Sequence, residues 1–293
     1  MGFTVVGIGE LLWDLFPEGK RLGGAPANFA YHCKAFGAES YPVSCVGNDD
    51  PGRQILQALD THGIDVSFIA VNSDHPTGTV SVQVDKKGKP EYIIHENAAW
   101  DHMPLTEEMI MLAQKTDAVC FGSLAQRSKT SRTTIRKFLQ ETRPDCIKIY
   151  DINFRQHYYS RDLIEDMLAL STVLKLNDEE LTVVAELMGF CGQEKALVEQ
   201  IASRYSLDVV ALTKGDAGSC LYQMGLYSEH KGYDAKVVDT VGAGDSFTAV
   251  LAAGLLLNFD LDKINDLANK TAAYVCSQPG AMPKILTTID QVS

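Results

Sequence analysis

Hydrophobic residues recur along this chain in two periods, and the periods alternate. Residues 4–9 form a near-continuous apolar run of strand length, which predicts a first strand buried on both faces. Phe29, Ala30, Cys33 and Phe36 then recur at helical spacing, with Pro26 suited to the first turn and Gly37 to the stop. Residues 41–46 read as a strand, 51–62 as a helix opened by Pro51 and stopped by Gly63, and 66–71 as a further strand. At 77–85 the pattern changes. Thr79, Ser81 and Gln83 alternate with Val80, Val82 and Val84, as in a strand with one wet face. Lys86-Lys87-Gly88-Lys89 predicts a turn, and 91–95 the return strand of a hairpin.

Beyond residue 105 the alternation is regular. Helices are expected at 106–114, 128–141 and 160–170, each followed by a strand, at 117–122, 146–151 and 172–176. Helices at 178–188 and 193–205 precede a strand at 208–213. Val237 and Val238 read as a short strand, Phe247 to Leu257 supplies a helix of about three turns, and 262–277 a closing helix. Strands alternating with helices imply an α/β fold whose mostly parallel sheet is covered on both faces. Ligands of such sheets bind beyond the carboxyl ends of the strands.

Composition narrows the function. The chain has 293 residues, 45% of them hydrophobic, enough for a large core. Its net charge of -12 argues against nucleic acid or an anionic membrane as partner. The seven cysteines are odd in number and scattered, without Cys-x-x-Cys. That fits reduced thiols and a cytoplasmic location, not a disulfide framework or a zinc site. No basic region precedes the first apolar run, which Glu10 and Asp14 interrupt, so it reads as a strand and not as a signal peptide. No repeat, low-complexity tract or interdomain linker stands out.

The chemistry concentrates in Asp239-Thr240-Val241-Gly242-Ala243-Gly244-Asp245. Glycines at a turn before a helix let the backbone close on a ligand, and the first helix amides, without intrahelical partners, suit a phosphate. A carboxylate there, Asp245, makes sense as a general base towards a hydroxyl that attacks the phosphate. Gly23-Gly24-Ala25-Pro26-Ala27-Asn28 is a second close-approach turn, with Asn28 free to bond a hydroxyl. Asp14, past the first strand, either holds ligand hydroxyls or is a solvated loop acid. Three polar clusters fall at predicted strand ends: Asp151-x-Asn153-x-Arg155, Asn177-x-x-Glu180 and Thr213-Lys214-Gly215-x-x-Gly218. Gly7 and Gly9 lack the third glycine of a dinucleotide fingerprint, since Leu12 stands in its place, and no P-loop string is present.

Taken together, these strings resemble the two signatures of the ribokinase-like, or PfkB, carbohydrate kinases, over nearly the whole chain. The resemblance implies one ribokinase-like α/β/α domain over 1–293, with a small β lid from about 11–22 and 77–97. It implies an ATP-dependent kinase acting on a primary hydroxyl of a small sugar. Asp245 would be the base, and the amides of Gly242, Ala243 and Gly244 the anion hole. Asp14, Gly23, Gly24 and Asn28 would hold the sugar, and Arg155 the sugar or the transferring phosphate. Asn177 and Glu180 would serve phosphates and Mg²⁺, Glu180 through water. Thr213, Lys214, Gly215 and Gly218 would line the nucleotide site, with Asn269 near the adenine. By analogy, backbone carbonyls of Asp239, Val241 and Gly280 would bind a monovalent cation such as K⁺, and the lid could pair two copies. Gly-Gly-Ala-Pro-Ala-Asn, with Glu10-Leu-Leu-Trp-Asp14 and Phe16-Pro17, is most similar to bacterial fructokinases. The chain departs from that pattern at 95–101, where Trp100 stands near an expected arginine, either stacking on a sugar or filling the lid hinge. A 2-keto-3-deoxygluconate, ribose or nucleoside kinase is the alternative within the family. A non-catalytic sensor would be expected to lose the base or the glycines, and this chain keeps both.

Overall fold

The computed structural model describes residues 2–16, 19–84 and 90–285. The expected turn at 86–89 and the fructokinase-like Pro17 lie outside the described residues. The chain opens with β1 (Thr4–Ile8), whose five residues are all buried, and passes to β2 (Leu12–Phe16) and β3 (Gly19–Gly23). Then follow α1 (Ala25–Ala35), β4 (Glu39–Gly47), α2 (Asp50–Thr61), β5 (Ile69–Asn72), β6 (Gly78–Val84) and β7 (Pro90–Ile94). The regular stretch is α3 (Glu107–Lys115), β8 (Ala118–Phe121), α4 (Lys129–Glu141), β9 (Ile147–Asp151), α5 (Arg161–Leu168) and β10 (Val173–Asn177). It continues as α6 (Asp178–Met188), α7 (Glu194–Tyr205), β11 (Val209–Thr213), β12 (Ser219–Gln223) and β13 (Leu226–His230), and ends in α8 (Ala243–Leu256) and α9 (Leu261–Cys276).

These elements build a three-layer α/β/α fold around a sheet ordered β13-β12-β11-β10-β9-β8-β1-β4-β5. Pairing is parallel from β11 to β5, and only β12 and β13 run antiparallel. Both faces are apolar because both are covered. Val5, Ile149, Val173 and Val209 pack on one side with Phe29 of α1, Phe247 of α8 and Leu267 of α9. Val6, Tyr150, Leu174 and Val210 point the other way, towards residues of α3 to α7. Helix α8 is buried from Ser246 to Gly254, as its apolar character on all sides requires. Gly254 lets α9 close on it, since a Cβ there would lie 2.6 Å from Ile264 Cγ1. A second, four-stranded sheet, β3-β2-β6-β7, forms a lid beside the carboxyl ends of the main sheet. Its β2–β6 pairing is parallel and the other two are antiparallel.

Three local expectations need correction. Val237 and Val238 form no strand: they are 63% and 57% exposed in a loop, where the Val238 amide donates to the Cys276 carbonyl. Asp14 is not in a loop after β1 but in the middle of β2, opposite Arg21 of β3. The β12–β13 hairpin was not anticipated. Its turn is Met224-Gly225, both at positive φ (50° and 88°), the geometry a two-residue hairpin turn needs.

Candidate active site

A cleft of about 870 Å³ opens between the lid and the carboxyl ends of the main strands. Of the residues singled out from sequence, Asp14, Gly23, Gly24, Asn28, Arg155, Val241, Gly242, Gly244 and Asp245 line it. Two close backbone approaches shape its floor. A Cβ on Gly23 would lie 2.7 Å from Asp14 Oδ2, and one on Gly24, at φ 130°, 2.6 Å from the Glu10 carbonyl oxygen. Only glycine admits α1 so near to β2, and that brings Asn28 to the floor. Asn28 Nδ2 donates to Asp245 Oδ2 at 2.7 Å, joining the two glycine-rich strings.

Helix α8 starts earlier than its apolar run suggests. Gly242 is its N-cap, left-handed at φ 81°, and a Cβ there would meet Ala281 Cα at 2.7 Å. Ala243, Gly244 and Asp245 are therefore the first helical residues, whose amides lack intrahelical acceptors. Positive potential gathers at the same end. The Asp245 carboxyl is pushed up to about 6, first by burial and then by the Asp151 carboxylate. The Asn28 hydrogen bond, Lys175 and Arg155 pull it the other way. Asp245 is thus mostly ionised at neutral pH, yet basic enough to take a proton.

Lys175, which sequence reading passed over, organises the ground behind Asp245. It sits on β10, 8% exposed, and its ammonium donates to Asp151 Oδ1 at 3.0 Å. Burial works against its charge, but Asp151, Glu180 and Asp245 outweigh that and hold its pKa up. Thr248 donates to the other Asp151 oxygen at 2.9 Å. A Cβ on Gly244 would stand 3.1 Å from Lys175 Nζ, so the buried cation lies directly under the first turn of α8. A lysine amid the apolar strand Val173–Asn177 was the available signal.

The cleft margin carries the remaining charge. Asp14 is raised by burial, while Arg155 and Arg21 pull it down. Arg155 is exposed and donates from Nη1 to the Phe154 carbonyl at 3.0 Å. Asp239 accepts from the amides of Val241 (3.1 Å) and Gly280 (3.2 Å) and from Arg21 of the lid (2.9 Å). Its carboxylate thus ties the loop before α8 to the turn after α9.

The other expected residues lie apart from the cleft wall. Asn177 and Glu180 form a reciprocal cap on α6: Asn177 Oδ1 accepts the Glu180 amide, and Glu180 Oε2 accepts the Asn177 amide, both at 2.8 Å. Glu180 Oε1 also accepts the Phe154 amide at 2.9 Å, and burial raises this carboxyl despite Lys175. Asn177 is the register partner of Thr213 at adjoining strand ends. Lys214 Nζ pairs with Glu194 at 2.6 Å. Gly215 and Gly218 have positive φ (58° and 89°), and a Cβ on Gly218 would meet the His230 carbonyl at 1.9 Å. Asn269 is buried, donating to Ser219 Oγ at 2.7 Å and to Asn265. Among the described residues no group of three or more His, Cys, Asp or Glu side chains is set to hold a metal. A carboxylate already holding two amides suits Mg²⁺ only through water and ligand phosphates. The glycine-walled first turn of α8, above a buried ammonium, fits phosphate oxygens directly.

Trp100 fills the lid hinge. It is fully buried in the 3₁₀ turn Ala99–His102, and a Cβ on Gly78 would lie 2.3 Å from its Nε1. An arginine from further along the chain packs against this turn, outside the cleft wall. Arg127 stacks 4.0 Å over the Trp100 ring, bonds both Asp101 oxygens at 2.8 Å and donates to the His95 carbonyl at 2.7 Å.

A model of the pfkB family of carbohydrate kinases matches residues 17–288. A putative sugar kinase of Pyrococcus horikoshii is 29% identical, the match covering 94% of this chain and 91% of the relative. A fructokinase of Klebsiella pneumoniae is also 29% identical, over 92% of this chain and 90% of the relative. Among solved structures, the Pyrococcus horikoshii sugar kinase in complex with ATP superimposes with a TM-score of 0.81 at 26% identity. That match covers 95% of this chain and 94% of that one.

Proposed function

The chain belongs to the pfkB family of carbohydrate kinases, and from that premise we propose that it transfers the γ-phosphate of ATP to a primary hydroxyl of a small neutral sugar, fructose being the first acceptor to test. The observation that carries this reading is Asp245, a carboxylate raised to about 6 in the first turn of α8 and bonded to Asn28. The base and the phosphate cradle are consecutive residues, so a hydroxyl held at Asn28 faces both. Asp245 takes the hydroxyl proton, and the oxygen attacks the γ-phosphorus as the bond to the β-phosphate oxygen breaks and ADP leaves. The amides of Gly242, Ala243 and Gly244 receive the developing negative charge. Mg²⁺, held through water by Glu180, would neutralise phosphate charge when bound. Thr213, Lys214, Gly215, Gly218 and Asn269 belong to the nucleotide side of this reading, and Arg155 to the phosphoryl or sugar side.

What supports a neutral acceptor is the charge balance of the cleft. Glu10, Asp14 and Asp245 line it, against Arg155 and the buried Lys175 already paired with Asp151. An acidic or phosphorylated sugar would meet more repulsion than attraction there. The fructokinase of Klebsiella pneumoniae supports fructose as the first candidate. The whole chain is read as one kinase domain whose lid closes over the sugar, with lid-to-lid dimerisation and a cytoplasmic location as part of the same reading. The test is an ADP-release assay over a panel of fructose, ribose, a nucleoside and 2-keto-3-deoxygluconate. Response to the acid sugar alone would overturn the neutral-sugar reading, and response to none would overturn the kinase reading. In the same assay Asp245→Asn should lose about 10²–10⁴ in kcat while sugar binding persists.

A further inference from the structure

Beside Asp245 lies a second, small pocket of about 10 Å³, room for a single water. Glu10, Asp151, Asn153, Asp245 and Thr248 bring polar groups to its wall. Their hydrogen bonds leave an imbalance. Asp151 is satisfied, by Lys175 on one oxygen and Thr248 on the other. Asp245 receives Asn28 on Oδ2 alone among the described residues. Glu10 is 5% exposed; burial raises its carboxyl above the usual value, against its own backbone amide, Arg155 and Arg127, and its Oε2 is buried with no partner among the described residues. An acceptor left bare in the interior costs about 1–3 kcal/mol, more for a charge, and a cavity of one-water size beside it offers the missing donor.

We propose that this cavity holds one fixed water that donates to Glu10 Oε2 and to Asp245, making Glu10 a positioning residue that sets the proton affinity of the base. The proposal concerns the protein without substrate, so it stands apart from the choice of sugar. Through the water the two carboxylates feel one another. Ionised Glu10 makes protonation of Asp245 easier, and its removal makes it harder. The other charges facing the pair are Arg155 and Arg127 towards Glu10, Lys175 and Arg155 towards Asp245, and Asp151 towards both. Cys120 also borders the cavity, and burial keeps its thiol protonated.

The deciding measurement is a ¹³C-carboxyl NMR titration of Asp245 in the substrate-free protein and in Glu10→Gln, which keeps the shape and removes the charge. The midpoint should fall from near 6 by at least about half a pH unit, a threefold change in proton affinity. In the ADP-release assay the acid limb of kcat/KM should move by the same amount. An unmoved Asp245 midpoint overturns the proposal. A high-resolution crystal structure of the unmodified protein provides a test that needs no variant: a water within hydrogen-bond distance of Glu10 Oε2 and Asp245 supports it, and an empty cavity overturns it even if Glu10→Gln fails to fold. A protein that shows the water and the NMR shift but releases no ADP with any acceptor would sink the kinase reading and leave this inference standing.

Discussion

Asp245 should make the protein less stable in the pH range where it works. Its carboxyl is displaced upward from the ordinary 3.8 to about 6, so the folded chain binds its proton more tightly than the unfolded chain does. The sign follows from linkage. Below about pH 3 both states hold the proton and nothing is lost. As the pH rises through the unfolded value the unfolded chain gains by ionising first, and the penalty is complete once the folded group has also ionised, above about pH 7. At about 1.4 kcal/mol per pH unit the displacement corresponds to at most about 3 kcal/mol. The true figure is smaller, because Asp245 is only partly buried and cleft water reaches it. Asp245→Asn keeps the shape, leaves an amide oxygen to accept from Asn28, and removes the charge beside Asp151. Urea unfolding at pH 7.5 should therefore show the variant more stable than the parent by about 1–2 kcal/mol, with most of the gain gone near pH 4. An equal difference at both pH values, or a variant less stable at pH 7.5, would refute the reasoning.

Other outcomes follow from the same geometry. The pH profile of kcat/KM should fall on its acid side with a midpoint near 6, since Asp245, the proposed base, takes the sugar proton only when ionised; a midpoint near 4 would discard the displaced carboxyl. Lys175→Met leaves the Asp151 carboxylate buried without its cation and should cost about 3–5 kcal/mol in urea unfolding, whereas a loss under about 1 would mean water replaces the ammonium. Gly242→Ala forces a Cβ towards Ala281 at φ 81° and should cost about 1–3 kcal/mol, raising KM for ATP more than KM for the sugar; equal effects on both would detach this residue from the phosphate cradle. Exchanging K⁺ for Li⁺ in the assay should lower kcat if the carbonyls of Asp239, Val241 and Gly280 hold a cation.

What was legible in the sequence was chemistry carried by consecutive residues. Gly242, Gly244 and Asp245 announce a turn, a helix start and a carboxylate within one stretch, and Gly23-Gly24 with Asn28 does the same for a second helix. The main sheet was legible because fully buried strands read as apolar runs. The hairpin β12–β13 was not, for its short strands carry Ser219 and Gln223 at the ends and Glu229 near the close, leaving Met224-Gly225 as the only cue. Val237 and Val238 misled in the opposite direction, since two apolar residues without a neighbouring strand edge have nothing to pair with. How these residues act together on Asp245 was illegible for a deeper reason. Asp151 ends β9, Lys175 lies on β10, Glu10 follows β1 and Arg155 follows β9, so their mutual distances exist only after the parallel sheet has set its order. A motif can name a candidate base, but it cannot give that carboxyl its pKa, which is a sum over charges that the fold brings together from separate strands. If that is right, shuffling the tuning charges should be tolerated as long as their balance at Asp245 is kept. Lys175→Met combined with Asp151→Leu should therefore recover much of the stability that Lys175→Met loses, and by removing both the carboxylate and its cation should leave the Asp245 midpoint nearer its parent value than either substitution alone.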